Sequence, residues 1–192
     1  MKSIILFGGG GHCKSVIDVI EHEGKYKIAG IIDKPENLGL KVLGHEVIGT
    51  DADMAILFKK YKYALVTIGQ INTGQLRANL YKKIKKIGFS LPVIISPSAY
   101  VSPHSSLQEG TIIMHHALIN SNVKIGVNCI INSKVLVEHD CLIGDSCHLA
   151  TGSIVNGGVK IASGSFIGSN SVTRQEVKIP ENSFIKAGSV VK

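Results

Sequence analysis

An α/β domain of βαβ type followed by a parallel β-helix is the fold class this sequence predicts, on two observations. From Ile95 to the end an aliphatic residue recurs at every sixth position, Thr173 alone departing from it, and four places after each stands a small residue or Val. Upstream, an apolar run at 2–7 leads into Gly8-Gly9-Gly10-Gly11 and then into the helically spaced Val16, Ile17, Val19 and Ile20. A six-residue unit is too short for a helical repeat. Its two inward positions suit a short strand and a corner, so the second half reads as a β-solenoid with three faces and eighteen residues per coil. The domain boundary is placed between residues 1–92 and 93–192.

In the first half the elements follow in order. Residues 2–7 form a strand, the glycines a loop, and 13–23 a helix with one apolar face. A second strand at 27–32 ends at Asp33, some twenty residues after the loop, where a carboxylate commonly accepts bonds from a ribose or base. Residues 42–48 form a short strand or hairpin, 51–60 a helix, 63–68 a strand closed by Gly69, and 73–87 a helix. This is a Rossmann-like domain of half the size needed to wrap a dinucleotide. Its loop carries Cys13 where the dinucleotide fingerprint has its third glycine. One nucleotide fits better, with backbone N–H groups at the helix start binding phosphate.

In the second half, sorting outward positions by eighteen separates three columns. One reads Ile112, Ile130, His148, Phe166, Phe184, the second Tyr100, Leu118, Leu136, Ile154, Val172, Val190, and the third Ser106, Lys124, Leu142, Lys160, Lys178. Two apolar columns on a solenoid exterior imply cover by neighbouring subunits, and a homotrimer is expected.

The chain has 192 residues, 44% of them hydrophobic, and no apolar run of membrane-spanning length or signal-peptide form, so a cytoplasmic location without membrane contact is expected. Three of the four cysteines, Cys129, Cys141 and Cys147, occupy the small inward slot and read as core thiols; no metal site is expected. A net charge of +7 with ten Phe and Tyr, no Trp and no nucleic-acid module argues against nucleic acid and favours small polyanions such as nucleotide sugars and coenzyme A. The run Lys82-Lys83 and Lys85-Lys86 reads as the solvent face of a helix ending at Gly88.

Of eight histidines, His139 stands apart. It sits at a corner beside Asp140, and a neighbouring carboxylate raises imidazole basicity and fixes its orientation, as a general base requires. One coil later the same corner holds Gly157 and Gly158, which leaves room for an acyl group and exposes N–H groups to an oxyanion. His148 interrupts an apolar column, so either a ligand or a hydrogen bond across a subunit seam is expected. His115 and His116 read as a polar corner, a trimer contact or a substrate contact.

The glycine loop with His12, joined to a six-residue repeat carrying Val137-Glu138-His139-Asp140-Cys141, resembles the bacterial acetyl-CoA-dependent sugar acetyltransferases with an N-terminal nucleotide-binding domain. The likeness covers nearly the whole chain. It implies a left-handed β-helix, acetyl-CoA as co-substrate, and N-acetylation of a nucleotide-linked sugar, a UDP-4-amino-4,6-dideoxy sugar above all, in bacterial glycan synthesis. O-acetylation of sialic- or legionaminic-type sugars is the alternative. His139 becomes the proton acceptor and Asp140 its supporting acid. His148, Gly157, Ser169 and Ala187 become acetyl-CoA contacts, the last three lining a cleft between subunits. Gly10, Gly11 and His12 would hold the sugar-nucleotide phosphates and Asp33 the uridine, with Gly69 also in the substrate site. The chain departs from the family in having Asp33-Lys34 where N-acetyltransferases often have two acids, and in ending without the Gly-x-Pro-Ala tail.

Overall fold

The computed structural model describes residues 1–70 and 74–192, and its contacts divide them into two units: Met1–Gly69 with Asn79–Pro92, and Gln70–Ala78 with Val93–Lys192. In the first unit β1 (Lys2–Phe7) lies between β2 (Tyr26–Ile32) and β5 (Tyr63–Val66), parallel to both. Ile4 to Phe7 are all buried, as the unbroken apolar run of a central parallel strand requires. The 42–48 segment is a hairpin of β3 (Lys41–Val42) and β4 (His45–Gly49), with β4 extending the sheet beside β2.

Helix α1 (Gly11–Glu23) buries Cys13, Val16, Ile17, Val19 and Ile20, and starts two residues earlier than its apolar spacing suggested because Gly10 is its N-cap. Gly24 ends it in the left-handed region at φ 68°, its N–H returning to the Ile20 carbonyl. A reciprocal cap between Thr50 and Asp53 shapes a 3₁₀ turn at Asp51–Asp53, so α2 is only Met54–Lys60. Helix α3 is Gln75–Ile87; the helix start expected at Thr73 lies outside the described residues.

The second unit is a left-handed parallel β-helix of two-residue strands, β6 (Ile94–Ile95) to β22 (Val190–Val191). Strands pair at a separation of eighteen residues in three parallel sheets, for example Leu118 with Leu136 and His148 with Phe166. The aliphatic column is the core: Ile113, Ile119, Ile131, Val137, Leu149, Val155 and Ile167 are fully buried. From Gly110 onward each corner contains a residue in the left-handed region, three places after the aliphatic one, as at Asn122 (φ 58°), Asp140 (φ 62°) and Gly158 (φ 70°). Asn, Asp and Gly tolerate that conformation best.

The small inward residues are more than space-fillers. Their hydroxyls and thiols donate to carbonyls fifteen residues on, Thr111 Oγ1 to Gly126 (2.8 Å), Cys129 Sγ to Gly144 (3.1 Å) and Cys141 Sγ to Asn156 (3.1 Å), satisfying corner groups that would otherwise be buried unpaired.

Candidate active site

In the first unit the glycine loop leaves β1 at Gly8, whose φ of 107° and contact with Ile68 exclude a side chain. Asp33 braces this loop: one carboxylate oxygen accepts the Gly9 N–H at 2.7 Å and the other the Lys34 N–H at 2.8 Å. The sequence pointed Asp33 toward a ribose or base; both its oxygens also hold backbone. A Cβ on Gly10 or Gly11 would meet nothing within 4 Å, and no side chain caps the start of α1, so its N–H groups are open to an anion. His12 is half-buried, with Gly69 alongside its Cβ. Burial pushes the Cys13 thiol up to about 11, so it is a neutral core group.

In the second unit His139 Nδ1 and Asp140 Oδ2 are 2.7 Å apart, with both side chains more than half exposed. Asp140 is held in turn from the coil below, where Asn122 Nδ2 donates to its Oδ1 at 2.7 Å. The Asn122 amide, and then His139, hold the Asp140 carboxyl below its ordinary range. An ionised carboxylate only accepts, so Nδ1 carries the proton and Nε2 presents a lone pair. Counting back eighteen from Asp140 locates Asn122 in the sequence, yet sequence reasoning passed it over.

The glycine pair above His139 divides into two roles. Gly158 is the left-handed corner residue, as Asn122, Asp140 and Glu176 are in their coils, and its N–H donates to the His139 carbonyl at 2.9 Å. Gly157 is the specific one: a Cβ there would stand 2.8 Å from His139 Cε1 and 2.9 Å from Nε2. The space expected to stay open for an acyl group is thus filled by the imidazole itself.

His148 is 7% exposed and makes two hydrogen-bond contacts within its own chain. Nδ1 donates to the Gln70 carbonyl at 2.6 Å, and Nε2 lies 3.3 Å from Asn132 Nδ2. Burial lowers its pKa to about 4, so it is neutral, with Nε2 the acceptor. Phe166 meets its ring edge-on at 5.1 Å. His115 Nδ1 bonds Ser96 Oγ at 2.8 Å, and His116 is a left-handed corner residue.

The three outer columns differ in a way the sequence did not separate. Ile112 and Ile130 are fully buried within the chain, whereas Tyr100 (56%), Leu118 (37%) and Val190 (66%) of the second column are exposed. On the third, Lys124, Lys160 and Lys178 line a groove of about 610 Å³ with Leu142, Gly126 and Gly144. Ser169 and Ala187 are stacked on one corner of the prism, Gly188 N–H bonding the Ser169 carbonyl at 2.8 Å. That corner precedes the Val172–Thr173 strand, while the Gly157 corner follows the Ile154–Val155 strand of the same sheet. A single chain therefore keeps Gly157 apart from Ser169 and Ala187.

Residues 3–84 match the family model described as the PglD N-terminal domain. No curated protein matches the chain. Among solved structures, a histidine-to-asparagine variant of perosamine N-acetyltransferase from Caulobacter crescentus, in complex with CoA and GDP-perosamine, is 34% identical with a TM-score of 0.94, the match covering 100% of this chain and 89% of that one. The acetyltransferase domain of PglB from Neisseria gonorrhoeae is 26% identical with a TM-score of 0.90, over 100% of this chain and 92% of that one. WeeI from Acinetobacter baumannii, at 22% identity and a TM-score of 0.87 over 100% and 92%, shares the fold. With full-length likeness at this identity, and with the His139–Asp140 pair on a six-residue repeat behind a glycine-loop domain, the chain belongs to the hexapeptide-repeat sugar acetyltransferases.

Proposed function

We propose that this protein transfers the acetyl group of acetyl-CoA to the 4-amino group of a nucleotide-linked 4-amino-4,6-dideoxy sugar. The observation that carries this reading is the His139–Asp140 pair at 2.7 Å, which fixes the imidazole tautomer with Nε2 as acceptor. The relative holding CoA and GDP-perosamine together supports direct transfer within one ternary complex.

In this reaction the amine nitrogen attacks the thioester carbonyl, and His139 Nε2 takes the amine proton as the C–N bond forms. The Gly157 N–H, which has no acceptor among the described residues, holds the developing oxyanion. Collapse breaks the C–S bond, and the proton passes from His139 to the leaving thiolate. Asp140 stays ionised throughout and stabilises the imidazolium. Neutral His148 donates nothing from Nε2, and release of its long 3.3 Å contact with Asn132 Nδ2 frees that nitrogen to accept from the coenzyme. Gly10, Gly11, His12 and Gly69 belong to the nucleotide-sugar site of the first unit, and Asp33 holds its loop in shape. The lysine-lined groove suits the phosphates of coenzyme A.

Because one chain separates Gly157 from Ser169 and Ala187, a coenzyme cleft made of all three needs a second copy. The exposed column of Tyr100, Leu118 and Val190 is the surface for it, in a homotrimer. The four free thiols suit the reducing cytoplasm, where we place the reaction.

The test is thiol release from acetyl-CoA across a panel of UDP- and GDP-linked 4-amino sugars and free sialic-type sugars. Turnover with a nucleotide-linked amine, lowered roughly 10²- to 10⁴-fold in His139→Ala, is the expected result. Turnover with the free sugars alone, or a fully active His139→Ala, would refute the reading.

A further inference from the structure

Thr173 is the single non-aliphatic residue of the inward column, and it is 1% exposed. Its hydroxyl alters the hydrogen-bond ladder at one place. Elsewhere along this edge the N–H following an aliphatic residue donates to the carbonyl one coil on: Asn120 to Val137 (2.9 Å), Glu138 to Val155 (2.8 Å) and Arg174 to Val191 (2.8 Å). At Asn156 the N–H goes instead to Thr173 Oγ1 at 3.0 Å. The Thr173 carbonyl, released from that rung, accepts Asn156 Nδ2 at 2.6 Å.

The consequence falls on the next residue. At two comparable corners an asparagine in the Asn156 position turns its Oδ1 onto the following N–H: Asn120 onto Ser121 at 2.7 Å and Asn132 onto Ser133 at 2.8 Å. Asn156 has its amide on the Thr173 carbonyl, and no acceptor among the described residues lies on the Gly157 N–H, although Gly157 is buried. Buried N–H groups are rarely left unpaired. Here the hydroxyl of Thr173 is what diverts the side chain that would pair it.

We infer that Thr173 is a positioning residue, which keeps the Gly157 N–H uncapped and facing the His139 corner by drawing Asn156 away from it. The inference rests on the reading of Gly157 as oxyanion donor. Valine in place of Thr173 keeps the shape of the side chain and completes the aliphatic column. The Asn156 N–H then returns to the carbonyl of residue 173, and Asn156 Oδ1 swings onto Gly157.

The experiment compares Thr173→Val, Thr173→Ser and the double variant Thr173→Val/Asn156→Ala with the intact protein. Thr173→Val is expected to keep or raise Tm, to leave KM for both substrates within about twofold, and to lower kcat roughly 10- to 100-fold, short of the roughly 10²- to 10³-fold for outright loss of an oxyanion donor. Thr173→Ser restores kcat through its hydroxyl. The double variant recovers most of it, because alanine cannot cap Gly157, and a merely structural role for Thr173 does not produce that rescue. Hydrogen exchange of the Gly157 amide, followed by NMR on glycine-labelled protein, is expected to slow in Thr173→Val and to recover in the double variant. An unchanged Gly157 amide in Thr173→Val, or a loss of kcat that Asn156→Ala fails to relieve, overturns the inference. Should the oxyanion reading alone be wrong, the amide still responds while kcat does not, which separates the two failures.

Discussion

His139 lies against Gly157 so closely that a single methyl group added to the glycine would stand 2.8 Å from Cε1 of the imidazole. Real Cβ atoms do not approach ring carbons so nearly, so Gly157→Ala must rotate the ring away from Asp140 or shift the corner. Misplacing a reacting group by about 1 Å lowers turnover roughly 10²-fold. Gly157→Ala is therefore expected to fold with a nearly unchanged Tm and to lose kcat on that order. Full activity would mean that the ring does not work from this position.

Asn122 steadies the acid that steadies the base. Asn122→Ala removes the larger cause of the lowered Asp140 pKa and leaves the His139 contact in place. The carboxyl of Asp140, followed by carbon-detected NMR, should titrate at higher pH in the variant. A fall in kcat of about fivefold, the scale of one net hydrogen bond, is expected with it. An unmoved titration would remove Asn122 from the relay.

His148 makes stability depend on pH. The folded protein holds it neutral down to about 4, against an ordinary value of 6.5. Between those values the unfolded chain binds the extra proton and the folded chain does not. The stabilisation is complete above pH 6.5 and is lost as the pH falls toward 4, by about 3 kcal/mol in all, given about 1.4 kcal/mol per pH unit. Denaturant unfolding at pH 7.5 and pH 5 measures this, and His148→Gln should flatten the difference. Equal slopes for the two proteins would show that the protonation is not suppressed.

The glycines of the phosphate loop should answer differently to alanine. At Gly9 a Cβ would lie 2.6 Å from Asp33 Oδ2, while at Gly10 it meets nothing. Gly9→Ala is expected to lower Tm along with nucleotide-sugar affinity. Gly10→Ala should leave Tm unchanged and raise KM for the sugar nucleotide about tenfold or more, because backbone approach to a phosphate is what the missing side chain serves. Equal KM values for Gly10→Ala and the intact protein would place the phosphate elsewhere.

Much of the fold was legible because its periodicities are short and strict. A six-residue repeat leaves no freedom in which residues face the core, and eighteen per coil assigns Asn122, Asp140 and Gly158 to successive levels of one corner. His139 was legible for the same reason. Less legible were relationships carried by side-chain direction. Nothing in the spacing says that Asp33 turns back onto Gly9, that Asn156 turns away from Gly157 while Asn120 and Asn132 cap their neighbours, or that the imidazole occupies the gap above it. Nor did the columns reveal that Ile112 and His148 would be covered inside the chain while Tyr100 and Leu118 stayed open.

The sequence by itself determined a βαβ domain, a three-sided β-helix, the coil that carries each residue, and the histidine–acid pair, because local periodicity and the chirality of the chain leave those little choice. Only the tertiary structure decided that Gln70 would come to rest on His148, that Asn122 would orient Asp140, and that Thr173 would release the Gly157 N–H. The first of these joins residues 78 apart, and the other two depend on which of several rotamers each side chain takes. Such choices follow from neighbours brought together by folding and leave no periodic trace in the chain.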